Sequence, residues 1–376
     1  MKLLIVAGGG GHFAAALAVI QALPKDVEVL VIGRKHTFEG EVTESLESQT
    51  AKKLGIPFVS LTTGRLQRKL TRHSLVSLAK VPVGYFQALH ILREYKPEVV
   101  LSFGGYVSVP VGFAAKTLSI PIVVHEQILS AGLANKLVAK FAEKVCVSWK
   151  ESAKFFPGEK VVITGNPVKK FQISNSQFTI SNEKLPVLYV TGGSGGAHGI
   201  NVLIENCLEQ LLENYIVIHQ TGDAKEFGDF DRLVKKRESL SEEKKKRYVV
   251  TKFVAAEEVM HIMKRADLVV SRSGINTVTE LLSLGKPCLL IPLPHGQRNE
   301  QLTNAVFVKQ IGTAEIAEQK DLTGEALYAL INKMIENLGS YQEKSKRAQK
   351  EVITGAQEKI IDVITYVNAK KKTKGS

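Results

Sequence analysis

The sequence predicts an α/β protein of two similar domains, each a parallel sheet wrapped by helices. Three observations carry this. Short β-branched runs alternate with longer amphipathic stretches, the rhythm of β-α units. Near-continuous apolar runs such as Leu3-Leu4-Ile5-Val6-Ala7 suit strands covered on both faces. The order strand, glycine loop, helix opens the chain and opens again at Leu185. A length of 376 residues accommodates two cores, at roughly 150 residues per domain.

In the first half, a strand over 3–7 leads into a tight loop over Gly8 to Gly11 and a helix over 14–23. Further strands are expected over 27–32, 57–61, 99–102, 120–124 and 144–148. In the second half, a strand over 186–191 precedes the glycine loop 192–196 and a helix over 198–214. Strands follow over 216–219, 248–250, 268–271 and 288–291. The weakly periodic stretch 159–184, with Gly165-Asn166-Pro167-Val168, reads as a linker. The domains are therefore expected at 1–164 and 165–349, with a last helix over about 350–368 packing back on the first. The lysine-rich end, 370–376, reads as a frayed solvated tail.

Composition excludes several classes. Hydrophobic residues make up 44% and charged residues 23%, which is globular rather than disordered. Cys146, Cys207 and Cys288 are too far apart for a disulfide framework or a cysteine zinc site, and fit a reducing cytosol. No apolar run approaches the roughly 18–20 residues of a membrane span, and Gly8 interrupts the N-terminal run too early for a secretory signal. The formal charge of +13 admits nucleic acid, an anionic membrane or an acidic substrate. Without a zinc finger, an RNP motif or an aromatic-basic platform, nucleic acid is not expected as a partner. Arg65, Arg68, Lys69 and Arg72, interleaved with Leu75, Leu78, Tyr85 and Phe86, describe either a surface lying on an anionic bilayer or a helix packed on its own sheet.

A glycine loop between strand and helix lets backbone N–H groups approach an anionic oxygen at the positive end of the helix. Gly8-Gly9-Gly10-Gly11-His12 and Gly192-Gly193-Ser194-Gly195-Gly196 are such loops, and Gly104-Gly105-Tyr106 follows another strand. Neither of the first two is a GxGxxG fingerprint or a P-loop, which argues against hydride transfer and ATP hydrolysis. One loop alone is equally a tight turn; recurrence at equivalent positions points to a phosphate-bearing ligand. Ser271-Arg272-Ser273-Gly274 runs into a helix that Ser273 or Gly274 can cap and that Gly285 closes. Glu280 inside it is either a solvated residue or a ribose-binding carboxylate. The polar loop from Ile291 to Asn304, with His295, Gln297, Asn299, Glu300 and Gln301, suits hydroxyl recognition or plain solvation.

The glycine-His loop, Gly104-Gly105-Tyr106-Val107-Ser108, His125-Glu126-Gln127, Gly132-Leu133-Ala134-Asn135-Lys136, Gly165-Asn166-Pro167-Val168, Gly192 to Ala197 and Ser271 to Gly274 occur in one order. Together they resemble the MurG family of N-acetylglucosaminyltransferases over about residues 1 to 350. The resemblance implies a GT-B fold, two Rossmann-like domains facing a cleft. It implies a donor, UDP-GlcNAc, held by Gly10, Gly11, Lys169, Ser194, Gly195, Val254, Ser273, Gly274, Ile275, Asn276, Thr277, Val278, Thr279, Glu280, Glu300 and Gln301. Val254 would lie beside the uracil, Glu280 on the ribose and Gln301 on the sugar. The lipid-linked MurNAc-peptide acceptor would meet Gly8, Gly9, Gly104, Gly105, Tyr106, Gln127 and Asn135.

The implied reaction is an inverting transfer of GlcNAc to the C4 hydroxyl of the MurNAc of undecaprenyl-diphosphate-MurNAc-pentapeptide. His12 is the first choice for the base and His125 the second. No DxD pair stands at an expected strand end, so no tightly bound cofactor is expected, a divalent cation being at most an aid. The family also implies a peripheral place on the anionic cytoplasmic face of the cell membrane. Two departures stand out: the first loop lacks the family's Thr, and Ile128 replaces an Asn. A GT-B transferase acting on a different lipid acceptor and a UDP-GlcNAc 2-epimerase remain open as alternatives.

Overall fold

The computed structural model describes residues 1–35, 44–62, 72–168, 184–193, 195–224, 226–294 and 299–375, apart from the side chains of 46, 72–81, 256–257, 351 and 374–375. The chain divides into two compact units, Met1–Lys170 with Ile353–Ser376, and Phe171–Val352.

The first unit runs β1 (Lys2–Val6), α1 (Gly10–Ala22), β2 (Glu28–Gly33), α2 (Leu46–Lys53), β3 (Phe58–Ser60), α3 (Arg72–Tyr95), β4 (Val99–Ser102), α4 (Ser108–Thr117), β5 (Ile122–Glu126), α5 (Leu133–Ala139), β6 (Lys144–Val147), α6 (Lys150–Ala153) and β7 (Val161–Ile163). Its seven strands are all parallel, in the order β3-β2-β1-β4-β5-β6-β7. The chain leaves β1 toward β3 and returns at β4 to build the other side. The strand order therefore reverses between β1 and β4, the position where α/β sheets bind ligands at their strand C-termini.

The period-2 geometry of β1 assigns its residues to two cores. Leu4 and Val6 face Ala88 and Leu92 of α3 and Val111 and Ala114 of α4. Leu3, Ile5 and Ala7 face Phe13, Ala16 and Leu17 of α1.

The second unit runs β8 (Val187–Thr191), α7 (His198–Asn214), β9 (Ile216–Gln220), α8 (Asp229–Glu238), α9 (Glu242–Arg247), β10 (Tyr248–Thr251), α10 (Ala256–Arg265), β11 (Leu268–Ser271), α11 (Ile275–Leu284), β12 (Cys288–Leu290), α12 (Glu300–Ile311), β13 (Ala314–Ile316), α13 (Gly324–Glu336) and α14 (Leu338–Glu351). Its six strands are parallel, in the order β10-β9-β8-β11-β12-β13, with the reversal between β8 and β11. Leu203, Cys207 and Leu211 of α7 and Leu327, Ile331 and Met334 of α13 close its core over Leu188 and Val190.

The last helix, α15 (Ala356–Gly375), belongs to the first unit. Ile360, Ile364 and Val367 lie on one helical face and are sealed in the core that also holds Leu3, Ile5 and Phe13. At roughly 1.5–3 kcal/mol per fully buried aliphatic side chain, this stripe fixes the helix where it lies.

The expectation of a frayed tail is corrected here. The helix continues to Gly375, and Lys372 Nζ sits 2.8 Å from Glu98 Oε1. Backbone capping of β1 by the same carboxylate, Lys2 N to Glu98 Oε2 at 2.9 Å, explains why an exposed acid stands there.

Three further corrections concern boundaries. Helix α1 begins at Gly10, not Ala14, because Gly9 at φ 130° turns the chain at once and Phe13 N–H reaches Gly9 O at 2.9 Å. His12 is therefore in the first turn of a helix and not at the tip of a loop. Strands β7, inside the stretch read as linker, and β13 were not anticipated. Each is a three-residue strand at a sheet edge, too short to show periodicity. Among the described residues, no helix is long and apolar enough to cross a membrane.

Candidate active site

In the first unit, the loops after β1 and β4 interlock. Gly8 N–H donates to Gly104 O at 3.1 Å. Gly105, at φ +83°, lies so close that a Cβ on it would sit 2.6 Å from Gly8 Cα. Tyr106 follows, half-buried against the core. From α5, the Asn135 amide nitrogen donates to His125 O and to Glu126 Oε2, each at 3.1 Å. Its Oδ1 is pressed beneath Gly104, buried and without a hydrogen bond.

The Glu126 carboxylate also accepts Ile128 N–H at 3.2 Å and Gly132 N–H at 2.9 Å, folding the loop after β5 back on itself. Burial raises the Glu126 pKa, against the pull of these donors. Its role as organiser of this loop was not anticipated from the sequence. The signal available was the family motif His125-Glu126-Gln127, in which only the flanking residues received roles.

Both candidate bases belong to this cluster. His12 is partly exposed, but its Nδ1 is buried and makes no hydrogen bond. Burial, helped by the nearby Arg34 guanidinium, lowers its pKa to about 4, although Gln127 and the Phe103 backbone favour the protonated ring. His125 is completely buried in β5, with Nε2 3.2 Å from Gly165 O and 3.4 Å from Ser148 Oγ. Burial lowers it to about 4 as well. At neutral pH both rings are uncharged, and of the two residues only His12 is partly exposed. The Gln127 side chain is buried with Nε2 unbonded, while its carbonyl accepts from Trp149 Nε1 at 2.9 Å.

In the second unit, the loop after β8 is packed on backbone. A Cβ on Gly192 would lie 2.3 Å from Ala197 N, and one on Gly196, at φ +75°, 2.2 Å from Thr221 O. Gly193 and Gly195 face open space instead, and Thr191 Oγ1 pins the turn through Gly193 N–H at 3.0 Å.

Gly274 caps α11 without a side-chain hydrogen bond and also faces open space. Of the two expected caps, Ser273 is excluded: it is fully buried and its hydroxyl donates to Gln301 O at 2.7 Å. Asn304 holds the same turn, donating to Ser273 O at 3.0 Å. Arg272 anchors the exit of β12, donating to Ile291 O, Pro292 O and, at 2.6 Å, to Gln319 Oε1; burial lowers it to about 10. Arg272 and Gln319 have no role assigned from the sequence, and Asn304, the last residue of the polar loop, serves the backbone of Ser273.

The run 275–280 splits by face. Ile275, Val278 and Thr279 are buried, so they can serve a ligand only through the backbone, whereas Asn276, Thr277 and Glu280 are half-buried. Gln301 uses its side-chain oxygen on Leu293 N–H at 2.9 Å, and burial raises the neighbouring Glu300 carboxyl. Val254 is buried beside the exposed Phe253.

Lys169, Ser194, Arg65, Arg68, Lys69 and the stretch 295–298 lie outside the described residues, as do the side chains of Arg72, Leu75 and Leu78. Phe86 is 65% exposed. Tyr85, expected beside it at a membrane, instead packs on the core and bonds Thr117 Oγ1 at 3.0 Å. Among the described residues no group of three or more His, Cys, Asp or Glu side chains forms a metal-holding cluster.

Residues 3–147 match the glycosyltransferase family 28 N-terminal domain, and residues 187–360 the family 28 C-terminal domain. UDP-N-acetylglucosamine–N-acetylmuramyl-(pentapeptide) pyrophosphoryl-undecaprenol N-acetylglucosamine transferases are similar over almost their whole length. That of Lachnoclostridium phytofermentans is 35% identical, with 98% of this chain and 100% of the relative covered. That of Shouchella clausii is 36% identical over 93% and 95%. The crystal structure of Acinetobacter baumannii MurG superposes with a TM-score of 0.73 at 26% identity, over 97% of this chain and 100% of that one. A UDP-bound MnaA of S. aureus shares the fold alone, with a TM-score of 0.64 at 17% identity over 97% and 96%. Two parallel-sheet domains of the GT-B type, matches to both family 28 domain models and near full-length likeness to these transferases place the chain in the MurG family of glycosyltransferases.

Proposed function

We infer that the chain is a UDP-GlcNAc-dependent N-acetylglucosaminyltransferase that converts lipid I to lipid II in peptidoglycan synthesis. The observation that carries this is the near full-length likeness to transferases named for that reaction.

The MurNAc C4 oxygen attacks the anomeric carbon of GlcNAc from the face opposite UDP. The new C–O bond forms as the bond to the β-phosphate oxygen breaks, and inversion leaves a β-1,4 linkage. The hydroxyl proton passes to a base, for which His12 is the proposal because it is neutral and partly exposed. His125, sealed in β5, acts instead as a positioning residue. UDP departs with its electron pair, stabilised by N–H groups at Gly195 and at the start of α11, where the backbone faces open space. No tightly bound cofactor has a part in this scheme.

The acceptor's polyprenyl chain keeps the reaction at a membrane, and the exposed Phe86 on α3 supports peripheral attachment to the anionic cytoplasmic face. Salt-sensitive binding to anionic vesicles is the expected result, and equal binding to neutral vesicles at high salt would contradict it.

The absent Thr and Ile128 favour one second reading, a different lipid acceptor. Incubating labelled UDP-GlcNAc with lipid I and with other polyprenyl or diacylglycerol acceptors, with and without EDTA, decides between them. Labelled lipid II is expected under both conditions. UDP release with every acceptor inert would point to epimerase-like chemistry.

A further inference from the structure

We propose that Arg34 is an acceptor-binding residue, a guanidinium built into the first glycine loop to hold the diphosphate of the lipid-linked acceptor. This rests on the functional reading above.

Arg34 follows β2 immediately, at the C-terminal edge of the sheet beside the switch point. Its Nε donates to Glu47 Oε1 at 2.9 Å, and that carboxylate is only 1% exposed, so the plane of the guanidinium is fixed. Its backbone is fixed too. Ser45, which caps α2, donates from Oγ to Arg34 O at 2.5 Å and from N–H to Lys35 O at 2.8 Å. The other edge of the fork lies over the loop: a Cβ on Gly9 would sit 3.2 Å from Arg34 Nη2. Gly9 must be glycine for its φ of +130° and also to admit this side chain.

The cation thus stands at the start of α1, a helix of 13 residues, beside His12 with its buried and unbonded Nδ1. Fixed charge, a helix N-terminus and a glycine backbone suit a diphosphate better than any neutral ligand. In this chain the first loop lacks the family's Thr hydroxyl, and Arg34 supplies a stronger anion contact at the same loop. The second unit has its own switch-point loops for the nucleotide, which leaves the diphosphate of the acceptor as the anion for this one. The loss of a charged contact of this kind corresponds to about a ten- to hundredfold change in binding.

The test compares Arg34→Gln, Arg34→Lys and the double variant Arg34→Met with Glu47→Gln. The double variant removes both charges, so no buried carboxylate is left without a partner and folding is kept separate from binding. The expected result is a rise of about tenfold or more in KM for lipid I in Arg34→Gln and in the double variant, with partial recovery in Arg34→Lys. KM for UDP-GlcNAc should stay within about twofold, and inorganic pyrophosphate should lose potency as a competitor of lipid I by a similar factor. A purely structural ion pair would move the melting temperature and spare this split. Wild-type protein that fails to glycosylate lipid I overturns the functional reading, and this proposal with it. Wild-type transfer with unchanged lipid I KM in Arg34→Gln overturns this proposal alone, as does a rise confined to the UDP-GlcNAc KM.

Discussion

In the first unit, the loops after β1 and β4 lock together through Gly8 and Gly105, and polar side chains crowd around them: His12, Arg34, Gln127 and Asn135. In the second unit, the loop after β8 rests on Thr221 and Gly222, and the polar side chains near it are largely spent on backbone. Arg272 holds Ile291 and Pro292, Ser273 holds Gln301, and Asn304 holds Ser273. Both switch points share one topology, but the first offers side-chain chemistry and the second offers backbone beside open space at Gly195 and Gly274. A fold sets where a site stands and the loops decide what it does, so a base and an acceptor suit the first unit and a nucleotide diphosphate the second.

The comparison breaks most visibly at His12. Replacing it with Ala should lower turnover by about 10²- to 10⁴-fold while leaving UDP affinity nearly intact. Near-normal turnover would remove the base from the first unit. Burial holds His12 near 4, so its ring stays neutral well below the ordinary 6.5, and turnover should persist to about pH 5. An acid limb near 6.5 would mean that another group is the base.

The same burial has a consequence for folding. His12 and His125 titrate near 4 in the folded chain and near 6.5 when unfolded, so the unfolded chain binds more protons between those values. The stability of the first unit should therefore fall as pH drops from 6.5 toward 4, as denaturant titrations can measure.

A matched pair of glycine substitutions sharpens the division of labour. Gly105→Ala and Gly196→Ala both force a Cβ into backbone at positive φ, at a strain of about 1–3 kcal/mol each. The first should raise KM for the lipid acceptor and the second KM for UDP-GlcNAc, each by about tenfold. Crossed effects would refute the assignment of one substrate to each unit.

The gentlest probe changes no candidate site residue. Ile364→Ala in α15 removes a fully buried side chain from the core under α1 and should cost about 2–5 kcal/mol of stability. Turnover of the folded protein at low temperature should be unchanged; a parallel loss would show that α15 shapes the site as well as the core.

Most of the architecture is legible in the sequence. The β-branched runs locate the long central strands, the pattern over 198–214 spans α7, and Gly285 closes α11 with φ +60°. Edge strands β7 and β13 escaped because three residues carry no periodicity. The start of α1 was misplaced because local propensity disfavours glycine in helices, whereas tertiary packing of Gly8 on Gly105 lets the helix begin at Gly10.

The site divides along the same line. Residue types and their order established the family, and with it the donor, the reaction class and the two histidines as candidates. Spacing in a linear chain says nothing about which histidine is sealed, or that Ser273 and Gln301 spend their polar groups on neighbouring backbone. Nor does it bring Arg34 from the end of β2 to Gly9, or make Glu126 the organiser of its loop. Those outcomes depend on burial and on contacts between residues distant in sequence, and such contacts exist only once the sheet has brought its strand ends together.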